Sequence, residues 1–294
     1  MTTVSALAPA KVNLFLHVGP VDAAGYHPIC SLVAFADVGD RLAARRSDRL
    51  SLTLDGPFAE GLRADGDDNL VLRALRGLAD AEGAPRLDLT LEKRLPIAAG
   101  LGGGSSDAGA ALRLAAALWA GRWSDADLDR AAAAVGADGP MCLRAVSAWA
   151  ESRGERLTPE PRLPPLHAVL ANPRAPSSTG AVYRAYDAGP VGAADRPAPP
   201  DDWSAPAVIR WLARQRNDLE APALALQPAI APVIDALAAT EAVGLTRMSG
   251  SGATVFALYD QPEAADAARD RLGRDHGDWW VARTVLGETS IPGL

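Results

Sequence analysis

The chain has 294 residues, 48% of them hydrophobic and 22% charged, and a net charge of −7. That length allows one large domain or two modest ones around a sizeable core. No run of 18 apolar residues offers a membrane span, the N-terminus lacks the basic-then-apolar order of a secretory signal, and the acidic balance argues against a nucleic-acid partner.

In chain order, residues 4–18 (VSALAPAKVNLFLHV) place apolar residues at nearly every second position and predict a strand, with Pro9 favouring an edge or a bend. Residues 31–38 and 50–54 are further strands. A helix is predicted over 67–82, opened by the capping candidates Asp67, Asp68 and Asn69. Residues 86–92 alternate and read as a strand. A helix from Ser106 to about Ala120 follows, stopped by Gly121. Ser124 with Asp127 is a capping-box signature for a helix through Val135. Residues 145–151 are a strand, and four prolines between Leu157 and Pro165 suggest a boundary. HAVLANP opens the second half as a strand. Residues 187–207 hold five prolines and predict a flexible surface loop. Helices are expected at 206–216, 228–239 and 263–272, with the strand TVFALYD (254–260) between the last two and WWVARTVL at the end. Strand runs and helix runs in this mixture predict an α+β fold.

Two residue counts carry information. Cys30 and Cys142, the only cysteines, cannot form a disulfide framework or a zinc site alone; free buried thiols in a reducing cytoplasm are expected. Of the 29 basic residues only Lys11 and Lys93 are lysines. Where a chain has drifted to arginine, a remaining lysine marks a place that needs a compact ammonium. Lys93 reads as a chance survivor; Lys11 has the better context.

The strongest chemical signal is Pro96-Ile97-Ala98-Ala99-Gly100-Leu101-Gly102-Gly103-Gly104-Ser105-Ser106-Asp107. Four glycines in five residues let successive N–H groups turn toward one point. The helix that follows adds free N–H groups and the positive end of its dipole, which favours an anion, and polyphosphate above all. The Gly-Lys-Ser/Thr ending of a Walker A loop is missing, and the loop lies too deep in the chain for a dinucleotide-binding fold. A second cluster, Met248-Ser249-Gly250-Ser251-Gly252-Ala253-Thr254, reads alone as a plain turn between helix and strand; alongside the first it suggests another backbone surface near the phosphates or a buttress for the first loop.

Taken together, Pro9-Ala10-Lys11-Val12-Asn13-Leu14, the loop PIAAGLGGGSSDA and Ser249-Gly250-Ser251-Gly252-Ala253 resemble, in order, the three motifs of the GHMP kinases, the superfamily of galactokinase, homoserine kinase and mevalonate kinase. The resemblance runs from residue 8 to about 260. It implies a two-domain fold, with a ribosomal-protein-S5-like ATP-binding domain over 1–157 and a ferredoxin-like domain over 158–294. Gly25-Tyr26-His27, Asp68-Asn69-Leu70, Gly136-Ala137-Asp138-Gly139-Pro140, Gly154-Glu155-Arg156-Leu157-Thr158-Pro159 and Asn217-Asp218-Leu219-Glu220 look like the branch that phosphorylates a cytidine-diphosphate sugar alcohol for isoprenoid synthesis. A homoserine- or mevalonate-type kinase is the alternative; those enzymes have no cytosine to read.

Carried over by this resemblance, Asp138 orients the attacking hydroxyl and contacts substrate, and Lys11 pairs with it. An Asp before Gly-Pro is otherwise an ordinary turn-former. Pro96, Ala99, Gly100, Leu101, Gly102, Gly103, Gly104, Ser105, Ser106 and Asn69 hold ATP. Tyr26 and Tyr183 stack on cytosine, His27 reads it by hydrogen bonds, and Asn13 and Thr179 meet substrate hydroxyls. Mg2+ arrives with the nucleotide, and no acidic cluster assigns metal ligands. The expected partners are ATP and the small-molecule substrate, without nucleic acid or membrane, in a cytoplasmic monomer or homodimer. The chain departs from the branch at Gly139, where valine is usual, at Arg153, and in the proline-rich loop 187–207. Gly139 is freer in φ, so Asp138 would rest on Pro140 and the surrounding packing.

Overall fold

The computed structural model describes residues 2–62 and 69–287. Asp67 and Asp68 of the expected helix cap lie outside the described residues. The first half contains strands β1 (Val4–Val18), β2 (Ile29–Arg46), β3 (Ser51–Asp55), β4 (Leu87–Glu92), β5 (Ala148–Ser152) and β6 (Arg156–Pro159). Its helices are α1 (Leu70–Arg76), α2 (Gly103–Leu118), α3 (Asp125–Ala133) and α4 (Gly139–Arg144). The second half contains β7 (Leu166–Asn172), β8 (Val243–Met248), β9 (Val255–Tyr259) and β10 (Trp280–Leu286), with α5 (Thr179–Asp187), α6 (Ala205–Ala213), α7 (Glu220–Leu226), α8 (Ile230–Ala238) and α9 (Pro262–Asp275). The architecture is α+β.

β2 is the pivot. β1 pairs antiparallel along its whole length, while its other edge is shared by β5 at residues 29–33 and β4 at residues 41–46. Between those two, Ala36 pairs with Leu286 of β10, which joins the first sheet to the antiparallel set β10-β7-β9-β8. β6 runs across positions 157–158, and the turn at 160–165 separates the two sets. Apolar residues of β1 and β2 (Val12, Leu14, Leu32 and Ala34) are fully buried in a core that continues into the second sheet through Leu170 and Phe256.

Helix α2 lies at the centre of the first half. Its residues Ser106 to Ala115 are buried on every face, and the alanine-rich run lets α1, α4 and β1 approach closely. The helix begins three residues before the predicted start, at Gly103. Glycine disfavours helix interiors, but at the first turn the N–H groups have no partner within the helix to lose. The helix over 67–82 ends early, at Arg76. The capping box forms as expected: Ser124 Oγ accepts from Asp127 N, and Asp127 Oδ2 accepts from Ser124 N. β6, β8 and the short helices α4, α5 and α7 are additions to the sequence-based elements.

The segment 187–207 is, between α5 and α6, the irregular surface stretch expected, and the body holds it at a few points. Trp211 Nε1 donates to Ala198 O at 2.8 Å, Arg216 donates to Ala193 O at 2.6 Å, and the Arg196 guanidinium sits 4.0 Å over Trp149. One expectation is corrected: Gly139 does not serve conformational freedom, since its backbone is helical. A Cβ there would lie 1.8 Å from Ala132 O, so the contact between α3 and α4 admits only glycine. The docking of α3 thereby fixes Asp138, the residue that precedes α4. Gly139→Ala is expected to destabilise the protein by about 3 kcal/mol, since a backbone carbonyl cannot yield as a side chain does. Its thermal midpoint should fall clearly below that of the parent; an unchanged midpoint would show that α3 is free to move.

Candidate active site

β1 carries Lys11 and Asn13, and Asp138 reaches Lys11 from the start of α4. The pairing of β1 with β2 shifts register between Pro9 and Lys11 and again between Asn13 and Phe15. Such bulges re-aim side chains, and here they flank Lys11 and Asn13. Lys11 Nζ donates to Asn13 Oδ1 at 2.9 Å and lies 3.2 Å from Asp138 Oδ2. Asn13 Nδ2 donates to Ser31 Oγ at 2.8 Å, so the ammonium is steered through two buried polar side chains. The Lys11 amide donates to Leu101 O at 2.8 Å, tying β1 directly to the glycine-rich loop.

That loop closes over the pair. Gly102, in a left-handed conformation, caps α2, and a Cβ there would lie 3.1 Å from Lys11 Cε and 3.5 Å from Asp138 Oδ2. Gly100 has φ +74° and faces the second glycine cluster so closely that a Cβ would lie 2.4 Å from Ser249 O. Ser249 Oγ donates to Gly100 O at 3.0 Å and accepts from Asn13 N at 3.2 Å; Thr254 N donates to Ala99 O at 3.1 Å. The second cluster is therefore a buttress, and its Gly250 and Ser251 also line the cavity. Asn217 Nδ2 donates to both Met248 O and Gly250 O, Asp218 Oδ2 accepts from Val18 N, and Glu220 Oε2 accepts from Met248 N. The Asn217-Asp218-Leu219-Glu220 segment thus clamps the buttress to β1.

A cavity of about 790 Å³ contains this pair. Lys11, Asn13, Pro96, Ala99, Gly100, Leu101, Gly102, Gly103, Gly104, Ser105, Asp138, Thr179, Tyr26, His27 and Tyr183 all line it. Two sequence-derived residues stand off its wall. Ser106 is buried, and its hydroxyl donates to Cys142 Sγ at 3.4 Å. Asn69 caps α1, its side chain accepting from Val71 N at 2.9 Å, and the next residue, Leu70, reaches the cavity instead. Leu62, Leu70 and Ile97 give the loop end an apolar wall that the sequence reading missed.

The opposite end is aromatic. Tyr183 packs on His27 with ring centroids 5.1 Å apart. Burial, with Asp138 and Tyr186 adding to it, pushes the Tyr183 phenol up to about 12, so it stays a neutral surface. His27 Nδ1 meets Gly19 O at 2.9 Å and Nε2 lies 3.2 Å from Asp187 Oδ1. Both ring nitrogens are engaged by the protein, which leaves the ring face or the main chain, not the ring nitrogens, to meet a base. Tyr26 is exposed, with the Arg153 guanidinium 4.1 Å over its ring and paired to Asp22 at 2.9 Å. Arg153 lines the cavity, so this departure in sequence does face the site. Thr179 Oγ1 is 2.8 Å from Ser251 Oγ, at the junction of α5 and the buttress.

Lys93 overturns its reading as a chance survivor. It lines the cavity floor while almost wholly buried, with its ammonium 2.7 Å from Asp107 Oδ2 and also bonded to Asp40. The scarcity argument that singled out Lys11 applied equally to it. Among the described residues no group of three or more His, Cys, Asp or Glu converges. No described helix is long and apolar enough to cross a membrane.

A glycine-rich loop opening a helix next to a carboxylate–ammonium pair, beside an aromatic chamber, suits phosphoryl transfer to an alcohol. The chain matches the models of the GHMP kinases N terminal domain over residues 69–145 and the GHMP kinases C terminal over residues 205–278. It is 55% identical over 287 residues to 4-diphosphocytidyl-2-C-methyl-D-erythritol kinase of Caulobacter vibrioides (strain NA1000 / CB15N), covering 96% of this chain and 99% of that one. A crystal structure of 4-(cytidine 5'-diphospho)-2C-methyl-D-erythritol kinase superposes with TM-score 0.76 at 35% identity, over 97% of this chain and 100% of that one. Homoserine kinase from Cytophaga hutchinsonii, at 18% identity and TM-score 0.63 over 97% and 94% of the two chains, shares the fold. The loop, the paired side chains and these full-length similarities agree: the chain belongs to the GHMP kinases, in the family of 4-diphosphocytidyl-2-C-methyl-D-erythritol kinases.

Proposed function

We propose that this kinase transfers the γ-phosphoryl group of ATP to the 2-hydroxyl of 4-diphosphocytidyl-2-C-methyl-D-erythritol, in the cytoplasmic non-mevalonate route to isoprenoid precursors. The observation that supports the site assignment is the closeness of Gly102 to both Lys11 and Asp138, where even an added Cβ would meet both side chains. The N–H groups of Gly102 to Ser105 hold the phosphates, and the apolar wall around Leu70 and Ile97 takes the adenosine. Asp138 orients the hydroxyl and accepts its proton as the O–P bond forms. Lys11 steadies negative charge on that oxygen, and Asn13 fixes Lys11. Mg2+ travels on the nucleotide and neutralises phosphate charge there; no residue of this chain is assigned to it. Residues 1–157 supply the nucleotide side and residues 158–294 supply Tyr183, Thr179 and the buttress.

At the far end Tyr26 and Tyr183 offer faces to cytosine, a stacked contact worth about 1–3 kcal/mol. Tyr26→Ala is expected to raise the KM for the cytidine substrate about tenfold or more while leaving the KM for ATP near its parent value. An unchanged substrate KM would remove the cytidine assignment and favour a homoserine- or mevalonate-type acceptor. The direct test is ADP release in a coupled assay over the cytidine compound, homoserine and mevalonate. Turnover with the first alone is expected, and turnover with either of the others instead would sink the reading.

A further inference from the structure

Beneath Gly103, three ionisable side chains meet in a space nearly closed to solvent. Lys93 Nζ donates to Asp40 Oδ2 at 2.5 Å and Asp107 Oδ2 at 2.7 Å, and the three residues are 2%, 0% and 2% exposed. A Cβ at Gly103 would lie 3.1 Å from Nζ and 3.7 Å from Asp40 Oδ2, so little more than the Gly103 backbone separates the cluster from the phosphate cradle. Asp40 is fully partnered, because its Oδ1 also accepts the amides of Arg94 at 2.6 Å and Leu95 at 2.8 Å. Asp107 is not: its Oδ1 is buried without a partner.

Two carboxylates against one ammonium leave one negative charge uncompensated. Burying such a charge is costly, and a neutral carboxyl loses less by lacking a partner. Burial pushes the Asp107 carboxyl up to about 8, with Asp40 reinforcing it and Lys93 opposing. Lys93 itself is held charged: burial would lower it, but Asp107 and Asp40 together outweigh that. Arg46 of β2 meets α2 only at its far end, donating to Leu118 O, and other charged groups are engaged elsewhere. Lys11 of β1 faces Asp138, Arg45 of β2 pairs with Asp88, Arg73 of α1 bonds Ala134 O, and Asp129 of α3 pairs with Arg144 of α4. Arg113, further along α2, donates to Cys142 O, Leu143 O and Leu7 O.

We propose that Lys93, Asp40 and Asp107 form a positioning cluster that seats the phosphate loop and takes up a proton at Asp107 when a nucleoside triphosphate binds. The inference rests on the assignment of the loop to ATP. The triphosphate brings several negative charges to the other side of the Gly103 backbone, and their repulsion disfavours an ionised Asp107. A solvent proton then neutralises the carboxyl, and no bond of the nucleotide changes. Because the triphosphate favours the protonated form, affinity is greatest at low pH. It falls as pH rises through the free-enzyme value, by at most about tenfold per pH unit.

The test is calorimetric titration of the whole chain with a non-hydrolysable ATP analogue in saturating Mg2+, near pH 8, the window set by Asp107. Buffers of different ionisation enthalpy report the protons exchanged. Uptake of a fraction of a proton is expected for the parent, and none for Asp107→Asn or Asp40→Asn, whose affinities should also be flat across that window. Binding by the parent without proton uptake, or the same uptake by Asp107→Asn, overturns the inference and leaves the nucleotide site standing. No binding at all overturns both. Should Asp107→Asn fail to fold, the parent and Asp40→Asn decide between these results.

Discussion

Asp138→Asn is expected to lower kcat by about 10³-fold with little change in either KM. The amide keeps the shape of the side chain but cannot accept a proton, and positioned proton transfer contributes roughly 10²–10⁴-fold to such reactions. The side chain is only partly buried and precedes a helix fixed by α3, so folding should not suffer. Single-turnover measurement of the phosphoryl-transfer step, with thermal melting as the control, separates chemistry from stability. Parent-like turnover would show that another group, or solvent, takes the hydroxyl proton.

Lys11→Arg is the second large effect, expected to cost about 10²-fold in kcat although the charge is retained. The Lys11 stem runs directly under Gly102, with 3.1 Å from its Cε to a Cβ built on that glycine. A planar guanidinium needs more width and a different donor geometry than an ammonium bonded to Asn13 and facing Asp138. Removing one preorganised charge donor from a transition state costs roughly 10²–10³-fold. The KM for ATP should stay within a few-fold, since the proposed function gives the phosphates to main-chain groups. A large rise in that KM with kcat preserved would place Lys11 in ground-state nucleotide binding instead.

What the sequence disclosed, and what it hid, follows from how far apart the determinants lie. The geometry of the glycine-rich loop was legible because glycines specify backbone conformation locally. The strands at 4–18 and 86–92 were legible from alternation. The Ser124–Asp127 cap was legible because both partners fall within one helical turn. Lys93 was not, since its carboxylate partners come from β2 and α2, 53 and 14 residues away. Gly139 was misread for the same reason: the constraint is a carbonyl on a neighbouring helix, not its own φ. Short helices such as α4 and α7 carry too little periodicity to stand out, and tertiary packing holds them. Ser106 faces Cys142 instead of the cavity because, one residue past Ser105, the helix turn rotates it inward.

Both lysines of this chain face the same cavity, and both are nearly closed to solvent. The exterior therefore offers no ε-amine to acylating reagents, aldehydes or amine-directed cross-linkers. Any such reagent that does label a side-chain amine reports entry into the pocket, and occupancy by ATP should shield it.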